Sequence, residues 1–175
     1  MNNTLKLVEP DMNYKEEILR YVQEFLSSKE DLHGIARLLK DNSYEVWLIK
    51  IRDRALGINL PINKVRTTTY LAIYNNEIVG DMVFRHELND ELLNYNGHIG
   101  YTVRPGKRNK GYATMMLNEV MMIAKSEGLS KLLVTCDSGN IASEKVIVKN
   151  GGIFEDVRVE ADGNAIKRFW IDLDK

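Results

Sequence analysis

The chain has 175 residues, of which 44% are hydrophobic and 28% are charged, and its formal net charge is −1. This length and composition are typical of one globular domain, here spanning residues 1–175. The near-neutral charge disfavours a protein that binds nucleic acid through a general basic surface. A lone cysteine cannot form an internal disulfide, and no segment has the pattern of a signal peptide or a membrane span. We therefore expect a cytoplasmic protein that binds neither nucleic acid nor membranes.

Helical patterns dominate the first third of the chain, after a short apolar strand at residues 5–8. Asp11 is suited to cap a helix that begins near Met12. A repeat of apolar residues in steps of four places Tyr14, Ile18, Val22 and Leu26 on one helical face, with Phe25 beside them. Two further helices are expected at 29–39 and 43–54. Trp47 belongs to the last of these, and a Gly- and Pro-containing loop follows.

Strand patterns begin after this loop. Residues 65–74 and 77–85 are rich in β-branched and aromatic residues, and the Asn75-Asn76 pair between them predicts a hairpin turn. A polar connection leads to a third strand at 98–103. We expect these three strands to form an antiparallel meander.

The last part of the chain alternates between helix and strand. A helix is expected from about 111 to 126, followed by a buried strand at 132–136 that lies parallel to strand 98–103, because the two are joined by a helical crossover. A second helix is expected at 141–149. Strands at 153–159 and 166–173, separated by an Asp-Gly-Asn turn, complete the chain.

The strongest local signal is a basic loop between the strand at 98–103 and the helix that follows. Four cations stand within seven positions: Arg104, Lys107, Arg108 and Lys110. A helix start has unpaired N–H groups and the positive end of the helix dipole, so it binds phosphate readily, and Gly111 lets the backbone approach a ligand closely. A solvated basic loop before a surface helix explains the composition equally well. The Walker and GxGxxG patterns are both absent.

Two segments of the chain resemble signatures of the GNAT superfamily of N-acetyltransferases. Residues 108–113, with the sequence RNKGYA, are similar to the [RQ]-x-x-G-x-[GA] motif, and they stand between a strand and a long helix as in that family. Asn140–Ser143, followed by Lys149-Asn150-Gly151-Gly152, resembles the second signature. The resemblance implies the GNAT fold of the α/β (α+β) class, with a mixed central sheet of about six to seven strands and helices on both faces. It also implies acetyl-CoA as co-substrate.

The resemblance assigns coenzyme A contacts to particular residues. The backbone amides of 108–114 would hold the pyrophosphate, the preceding strand would bind the pantetheine arm, and the second signature would lie along that arm. The residues concerned are Tyr101, Thr102, Val103, Arg108, Asn109, Lys110, Gly111, Tyr112, Ala113, Thr114, Asn140 and Ser143. The implied reaction moves the acetyl group to a primary amine of a small molecule or peptide, by direct attack in a ternary complex.

The catalytic groups are less well defined. Many relatives have a tyrosine seven residues after the Asn of the second signature, where it protonates the departing thiolate, but this chain has Ile147. His98 and Glu87 are the candidates for a general base, with His86 weaker, and His98 and Tyr101 should lie on opposite faces of their strand. The histidines and the cysteine show no metal-ligand spacing. Cys136 is expected to be a buried strand residue.

Several alternatives stay open at this point. Ile147 also fits a catalytically weak acyl-CoA sensor or scaffold, and the basic loop alone would fit a nucleotide-binding module. Trp47 and Tyr44 fall in the region that forms the acceptor side in relatives, although core packing also explains Trp47. The acceptor is not indicated, and both a monomer and a homodimer fit the sequence.

Overall fold

The structure is a computed structural model that describes residues 4–28, 35–41 and 43–174. It contains four α-helices: α1 (Lys15–Ser28), α2 (Tyr44–Leu56), α3 (Tyr112–Ser126) and α4 (Ile141–Lys149). Its strands are β1 (Lys6–Val8), β2 (Thr67–Tyr74), β3 (Glu77–Arg85), β4 (Ile99–Val103), β5 (Lys131–Asp137), β6 (Ile153–Val159) and β7 (Ala165–Asp172). The helix predicted at 29–39 lies partly outside the described residues, and 35–40 form a 3-10 helix. No helix within the described residues is long and apolar enough to cross a membrane.

The strands form one seven-stranded sheet in the order β1-β2-β3-β4-β5-β7-β6. Strands β2, β3 and β4 form the predicted antiparallel meander. Strand β5 pairs with β4 in parallel, through the single pair Ile99 and Val134, which confirms the predicted crossover through α3. The C-terminal strands form a hairpin in which β7 pairs with β5 and β6 lies at the edge. The result is the predicted mixed sheet.

Apolar residues pack against both faces of this sheet. Helices α3 and α4 cover one face, where Met116, Leu117 and Ile147 lie among residues of the central strands. Helices α1 and α2 cover the other face, where Phe25 and Trp47 pack beside Leu71 and Ile78. The prediction of helices on both faces is therefore confirmed.

The buried face of helix α1 differs slightly from the face of the four-residue repeat. Leu26 is 49% exposed, whereas Ile18, Tyr21, Val22 and Phe25 are buried. Leu26 lies outside the core because each step of four residues rotates about 40° past one full turn of a helix with 3.6 residues per turn, and the rotations add up from Ile18 through Val22 to Leu26. The buried set instead follows the alternation of three and four residues that keeps one stripe facing the sheet.

A buried carboxylate joins α1 to the centre of the sheet. Asp81 on β3 is 0% exposed. The Tyr21 hydroxyl donates to its Oδ1 at 2.6 Å, and the Ile35 N–H donates to its Oδ2 at 3.1 Å. Burial, together with the neighbouring Asp81 charge, raises the pKa of Tyr21 well above its usual range, so this phenol stays a hydrogen-bond donor. Asp81 thereby holds two segments of the α1–α2 layer against the sheet.

This arrangement predicts unequal effects of removing two tyrosine hydroxyls. Tyr21→Phe leaves one oxygen of a buried carboxylate without its donor, so we expect a loss of about 2–3 kcal/mol in the free energy of unfolding. Tyr44→Phe removes a hydroxyl that donates to the neutral main-chain oxygen of Asp11 at 2.6 Å, and the expected loss is about 1 kcal/mol. Urea denaturation of both variants measures the difference. Equal losses would contradict the assignment of Asp81 as an anchoring carboxylate.

Candidate functional site

The central strands β4 and β5 separate after one residue pair. Strand β4 is hydrogen-bonded to β3 over 99–103, and β5 is paired with β7 along its whole length, but β4 and β5 share only the pair Ile99 and Val134. Two main-chain hydrogen bonds to β3 fix which peptide groups of β4 face that strand: Arg85 N–H donates to His98 O, and Arg104 N–H donates to Val79 O. Tyr101 and Val103 therefore direct their peptide groups away from β3 and towards the gap.

The loop between β4 and α3 closes one end of this gap. Asn109 and Gly111 have positive φ angles of 61° and 83°, which turn the chain sharply into the helix. Gly111 is the N-cap residue of α3, but it has no side chain to accept hydrogen bonds from the first N–H groups of the helix. The first intrahelical hydrogen bond is donated by Met115 N–H to Gly111 O. The N–H groups of 112–114 therefore have no partner within the helix and point out of its positive end. This end of the gap is suited to an anion.

Helix α4 begins at the same gap. Asn140 is its N-cap, and the side-chain oxygen accepts a hydrogen bond from Ser143 N–H at 3.0 Å. The Tyr101 hydroxyl on β4 donates to Ser143 Oγ at 3.0 Å, which joins the strand to the first turn of the helix. Burial raises the pKa of Tyr101, so this hydroxyl stays protonated near neutral pH.

These elements enclose a groove of about 850 Å³. It is lined by every residue that the sequence assigned to coenzyme A except Lys110. The structure adds residues that the prediction did not name as contacts: Lys107, Ile141, Ala142, Lys145 and Val146. The last four follow from the position of the second motif on a helix that runs along the groove, because residues one turn apart share a helical face.

The basic residues near the loop divide between the groove and the rest of the fold. Lys107 and Arg108 line the groove and are joined there by Lys145 from α4. Arg108 Nε donates to the main-chain oxygen of Val103 at 3.2 Å, which fixes the loop against the end of β4. Arg104 instead donates to Glu24 on α1, with Nε and Oε2 2.7 Å apart. The side-chain nitrogen of Lys110 lies 3.5 Å from the Gly106 oxygen, outside the groove, and its backbone remains part of the loop.

A family model described as an acetyltransferase (GNAT) domain matches residues 11–153. The chain belongs to the GNAT acetyltransferases. The match includes the gap between β4 and β5, the basic loop and the starts of α3 and α4. No curated protein sequence matches the chain at a significant level.

Solved structures of GNAT acetyltransferases have the same fold as this chain. The microcin C7 self-immunity acetyltransferase MccE, in complex with acetyl-CoA and AMP, is 17% identical with a TM-score of 0.71, covering 98% of this chain and 93% of that one. The ribosomal L7/L12 α-N-protein acetyltransferase RimL, in complex with coenzyme A, is 17% identical with a TM-score of 0.69, covering 99% and 96%. YncA of Salmonella typhimurium, with its cofactor acetyl-CoA, is 15% identical with a TM-score of 0.64, covering 99% and 96%.

The two candidate bases of this GNAT chain lie outside the groove. His98 is 6% exposed, and its Nδ1 accepts a hydrogen bond from Leu133 N–H at 2.9 Å. Burial lowers the pKa of His98 to about 4, so it is a poor proton acceptor at neutral pH. Glu87 is exposed at the end of β3. The geometry gives His98 a structural contact between β4 and β5, and a catalytic role for either residue stays a prediction.

His86 and Cys136 also lie outside the groove, in contact with other parts of the fold. Both ring nitrogens of His86 are hydrogen-bonded: Nε2 lies 2.8 Å from Thr68 Oγ1, and Nδ1 lies 2.6 Å from Glu127 Oε2. Glu127 stands at the C-terminal end of α3, remote from the basic loop. Cys136 is buried as predicted, and burial raises the pKa of its thiol to about 11. Among the described residues, no group of three or more His, Cys, Asp or Glu side chains forms a metal site.

Ile147 occupies the core rather than the groove. It is 0% exposed and packs among residues of α3 and the sheet. An ideal Cβ on Gly152 would lie 2.4 Å from Ile147 Cγ2, so the second glycine of the Gly151-Gly152 pair is required by this close packing. The hydroxyl that reaches between β4 and α4 comes from Tyr101.

The burial of His98 predicts a specific pH dependence of stability. Its folded pKa of about 4 lies below the unfolded value near ~6.5, so the unfolded chain binds the proton more readily and stability falls as the pH falls through this window. His98 therefore contributes up to about 3 kcal/mol to the free energy of unfolding, because a difference of one pKa unit corresponds to about 1.36 kcal/mol. His98→Asn keeps an acceptor for Leu133 N–H without titrating, and urea denaturation from pH 7 to pH 4.5 should give a flatter profile.

The pKa of His86 is also lowered by burial, but His86 is present in both proteins, so the difference between the two profiles isolates His98. Identical slopes for the native sequence and His98→Asn would show that His98 does not titrate in this window.

Proposed function

We propose that the chain is an acetyl-CoA-dependent N-acetyltransferase that acetylates a primary amine of a small molecule or peptide. The observation that supports this most is the groove at the divergence of β4 and β5, onto which the starts of α3 and α4 both open. The groove combines unpaired helical N–H groups at the start of α3 and three lining cations, Lys107, Arg108 and Lys145, with outward-facing strand peptide groups along its side. Those are partners for a pyrophosphate and for the amides of a pantetheine arm, respectively.

Neighbouring structures support an amine as the acceptor. One of them is a Salmonella typhimurium acetyltransferase that modifies the N-terminal serine of ribosomal protein L7/L12. An α-amino group has a pKa of roughly 7.7–8.0, so a substantial fraction is neutral at pH 7, whereas a lysine amine near ~10.4 is almost wholly protonated. Since neither His98 nor Glu87 lies in the groove, we favour an α-amine, which needs less help from a protein base.

Acetyl-CoA supplies an activated acetyl thioester when it is bound. In the proposed transfer the amine lone pair forms the new C–N bond, the C–S bond breaks with its electrons on sulfur, and one proton passes from the amine nitrogen to solvent water. A thiol pKa of ~8.5 makes the thiolate an acceptable leaving group. The Tyr101 hydroxyl donates its one proton to Ser143 Oγ at 3.0 Å in the free protein. We assign it to turn from Ser143 Oγ to the sulfur as the thiolate departs, and to stabilise the thiolate by donating a hydrogen bond.

Binding of the cofactor is tested by a pair of glycine substitutions at the two ends of α3. Gly111 and Gly128 have φ angles of 83° and 88°, and an added Cβ meets nothing within 4 Å at either position. Gly111→Glu places a carboxylate at the proposed pyrophosphate site, whereas Gly128→Glu imposes the same backbone strain at the opposite end. At a hundredfold excess of acetyl-CoA over Kd, about 2.7 kcal/mol of stabilisation raises Tm by about 5–10 °C.

We expect this Tm increase in the native sequence and in Gly128→Glu but not in Gly111→Glu, as measured by differential scanning fluorimetry. No increase in the native sequence would remove the proposed function. An equal increase in both variants would move the phosphate site away from the start of α3.

Turnover separates an enzyme from an acyl-CoA sensor. We expect Tyr101→Phe to lower kcat by about 10- to 100-fold, since a hydrogen bond to a charged group is lost, with little change in the acetyl-CoA KM. Tyr74→Phe is the matched control, because Tyr74 packs against the Tyr112 ring at 5.1 Å without lining the groove. Release of coenzyme A thiol in the presence of α-amines measures both variants. Acetyl-CoA binding without thiol release on any amine would favour the sensor, and equal kcat values would contradict the role of Tyr101.

A further inference from the structure

The outermost strand of the sheet, β6, has an uncovered apolar face. Within the described residues it pairs with β7 and has no neighbour on its other side. Phe154 packs against Phe169 of the core beneath α3 and α4, with ring centroids 5.6 Å apart, yet it is 53% exposed. Val157 and Val159 follow on the same strand and are 45% and 62% exposed. Exposed apolar side chains on an open strand are suited to a protein partner.

Helix α4 covers this face of the sheet only as far as β7. The β7 partners of the three apolar residues are Phe169, Lys167 and Ala165, which stand two positions apart and therefore share the α3–α4 face. The Lys167 side chain donates to Glu144 Oε2 on α4 at 2.8 Å, which places the side of α4 above β7. The apolar row on β6 lies one strand further out and therefore stays exposed to solvent.

The backbone of β6 offers hydrogen-bonding groups at the same place. Glu160 N–H donates to Asn164 O at 2.9 Å, which fixes the alternation along the β6–β7 hairpin. Val157 and Val159 therefore direct their N–H and C=O groups away from β7. A β-bulge interrupts the pairing before Asp156, so the regular part of the open edge is short. It is suited to a short ladder with another strand.

The charges along β6 indicate which strand fits. Asp156 and Arg158 flank Val157 and lie on the opposite face of the sheet. The Arg168 side chain on β7 donates to Asp156 at 2.6 Å and holds this carboxylate in place. If a second β6 pairs in antiparallel orientation with Val157 opposite itself, Asp156 of each copy faces Arg158 of the other. Opposite charges directly across a ladder stabilise it, so the strand is complementary to itself.

We propose that the edge of β6 is a dimer interface, at which a second copy of this chain adds its own β6 in antiparallel orientation about Val157. Two main-chain hydrogen bonds join the Val157 residues across the two-fold axis. On the α3–α4 face, Phe154, Val157 and Val159 of both copies form one apolar cluster. The gap between β4 and β5 lies inside the sheet, with β7 between β5 and the edge, so the cofactor groove stays open in each copy.

Sedimentation equilibrium tests whether this edge forms a dimer. We expect the native sequence to have twice the mass of one chain. Val157→Arg places two like charges on the two-fold axis and should raise the dimer dissociation constant at least about tenfold. Ile49→Arg is the matched control, because Ile49 is 60% exposed on α2, which covers the other face of the sheet. We expect this control to remain a dimer.

Disulfide cross-linking tests the register. Val157→Cys places two thiols opposite each other, where paired residues have Cα atoms ~5.5 Å apart, within the range of a disulfide. Val159→Cys places the two thiols roughly 14 Å apart along the strands, from a rise of ~3.4 Å per residue. The native Cys136 is buried and is present in both variants. After mild oxidation, non-reducing electrophoresis should show a covalent dimer of Val157→Cys and little of Val159→Cys.

Three results would overturn the proposal. The first is a native protein that stays monomeric at millimolar concentration. The second is an equal dissociation constant for Val157→Arg and the native sequence, which would place the dimer interface on another surface. The third is more efficient cross-linking of Val159→Cys than of Val157→Cys, which would exclude the register about Val157. The thermal assay with acetyl-CoA reports on the cofactor groove separately from all three.

Discussion

The separation of β4 from β5 is the constraint on which the rest of the site depends. Each strand is fully engaged on its other side, β4 with β3 and β5 with β7, and the two share one pair at Ile99 and Val134. Beyond that pair, peptide groups of β4 face a gap at the C-terminal ends of two parallel strands, where ligands bind in open α/β sheets. Main-chain groups in such a position need hydrogen-bond partners, and an extended ligand with its own amides meets that need.

The neighbouring elements extend this gap into a site with two chemically distinct sides. On one face, the starts of α3 and α4 give positive electrostatic potential and unpaired N–H groups. On the other face, the α1–α2 layer packs against the sheet, and the side chains of Val83 and Arg85 lie over Gly100 on the same strand. Buried Asp81 accepts a hydrogen bond from the Tyr21 hydroxyl and keeps the α1–α2 layer against that face of the sheet.

The sequence predicted those parts of the molecule in which the residue types, the periodicity and the family motifs all indicate the same structure. Asn140 and Gly111 have the residue types that helix starts and positive φ angles require, so both ends of the groove were found from pattern and family resemblance. Leu26 is not part of the buried stripe of α1, because residues four apart rotate progressively around a helix that has 3.6 residues per turn. Lys110 was assigned to coenzyme A through the backbone of the motif, and its side chain lies beside the Gly106 oxygen because side-chain direction at a loop depends on backbone angles that the sequence does not fix.

Other features depend on contacts between distant segments. His98 resembles a catalytic base in sequence, yet its Nδ1 is engaged by Leu133, a residue on another strand. The bond between Tyr101 and Ser143 joins residues 42 positions apart, and the unpartnered N–H of Trp47 is visible only once α2 is packed on the sheet. No local pattern marks these residues, because their roles come from the register of the sheet and the position of the helices on it.

The most direct measurement is the change in backbone amide signals on adding coenzyme A to nitrogen-15-labelled protein. The account predicts the largest changes at the amides of Tyr112, Ala113 and Thr114 and at Tyr101 and Val103 along β4, with the remote cluster around His86 unchanged. Changes confined to other surfaces, or no change at the start of α3 at saturating coenzyme A, would contradict the assignment of the gap between β4 and β5 as the cofactor site.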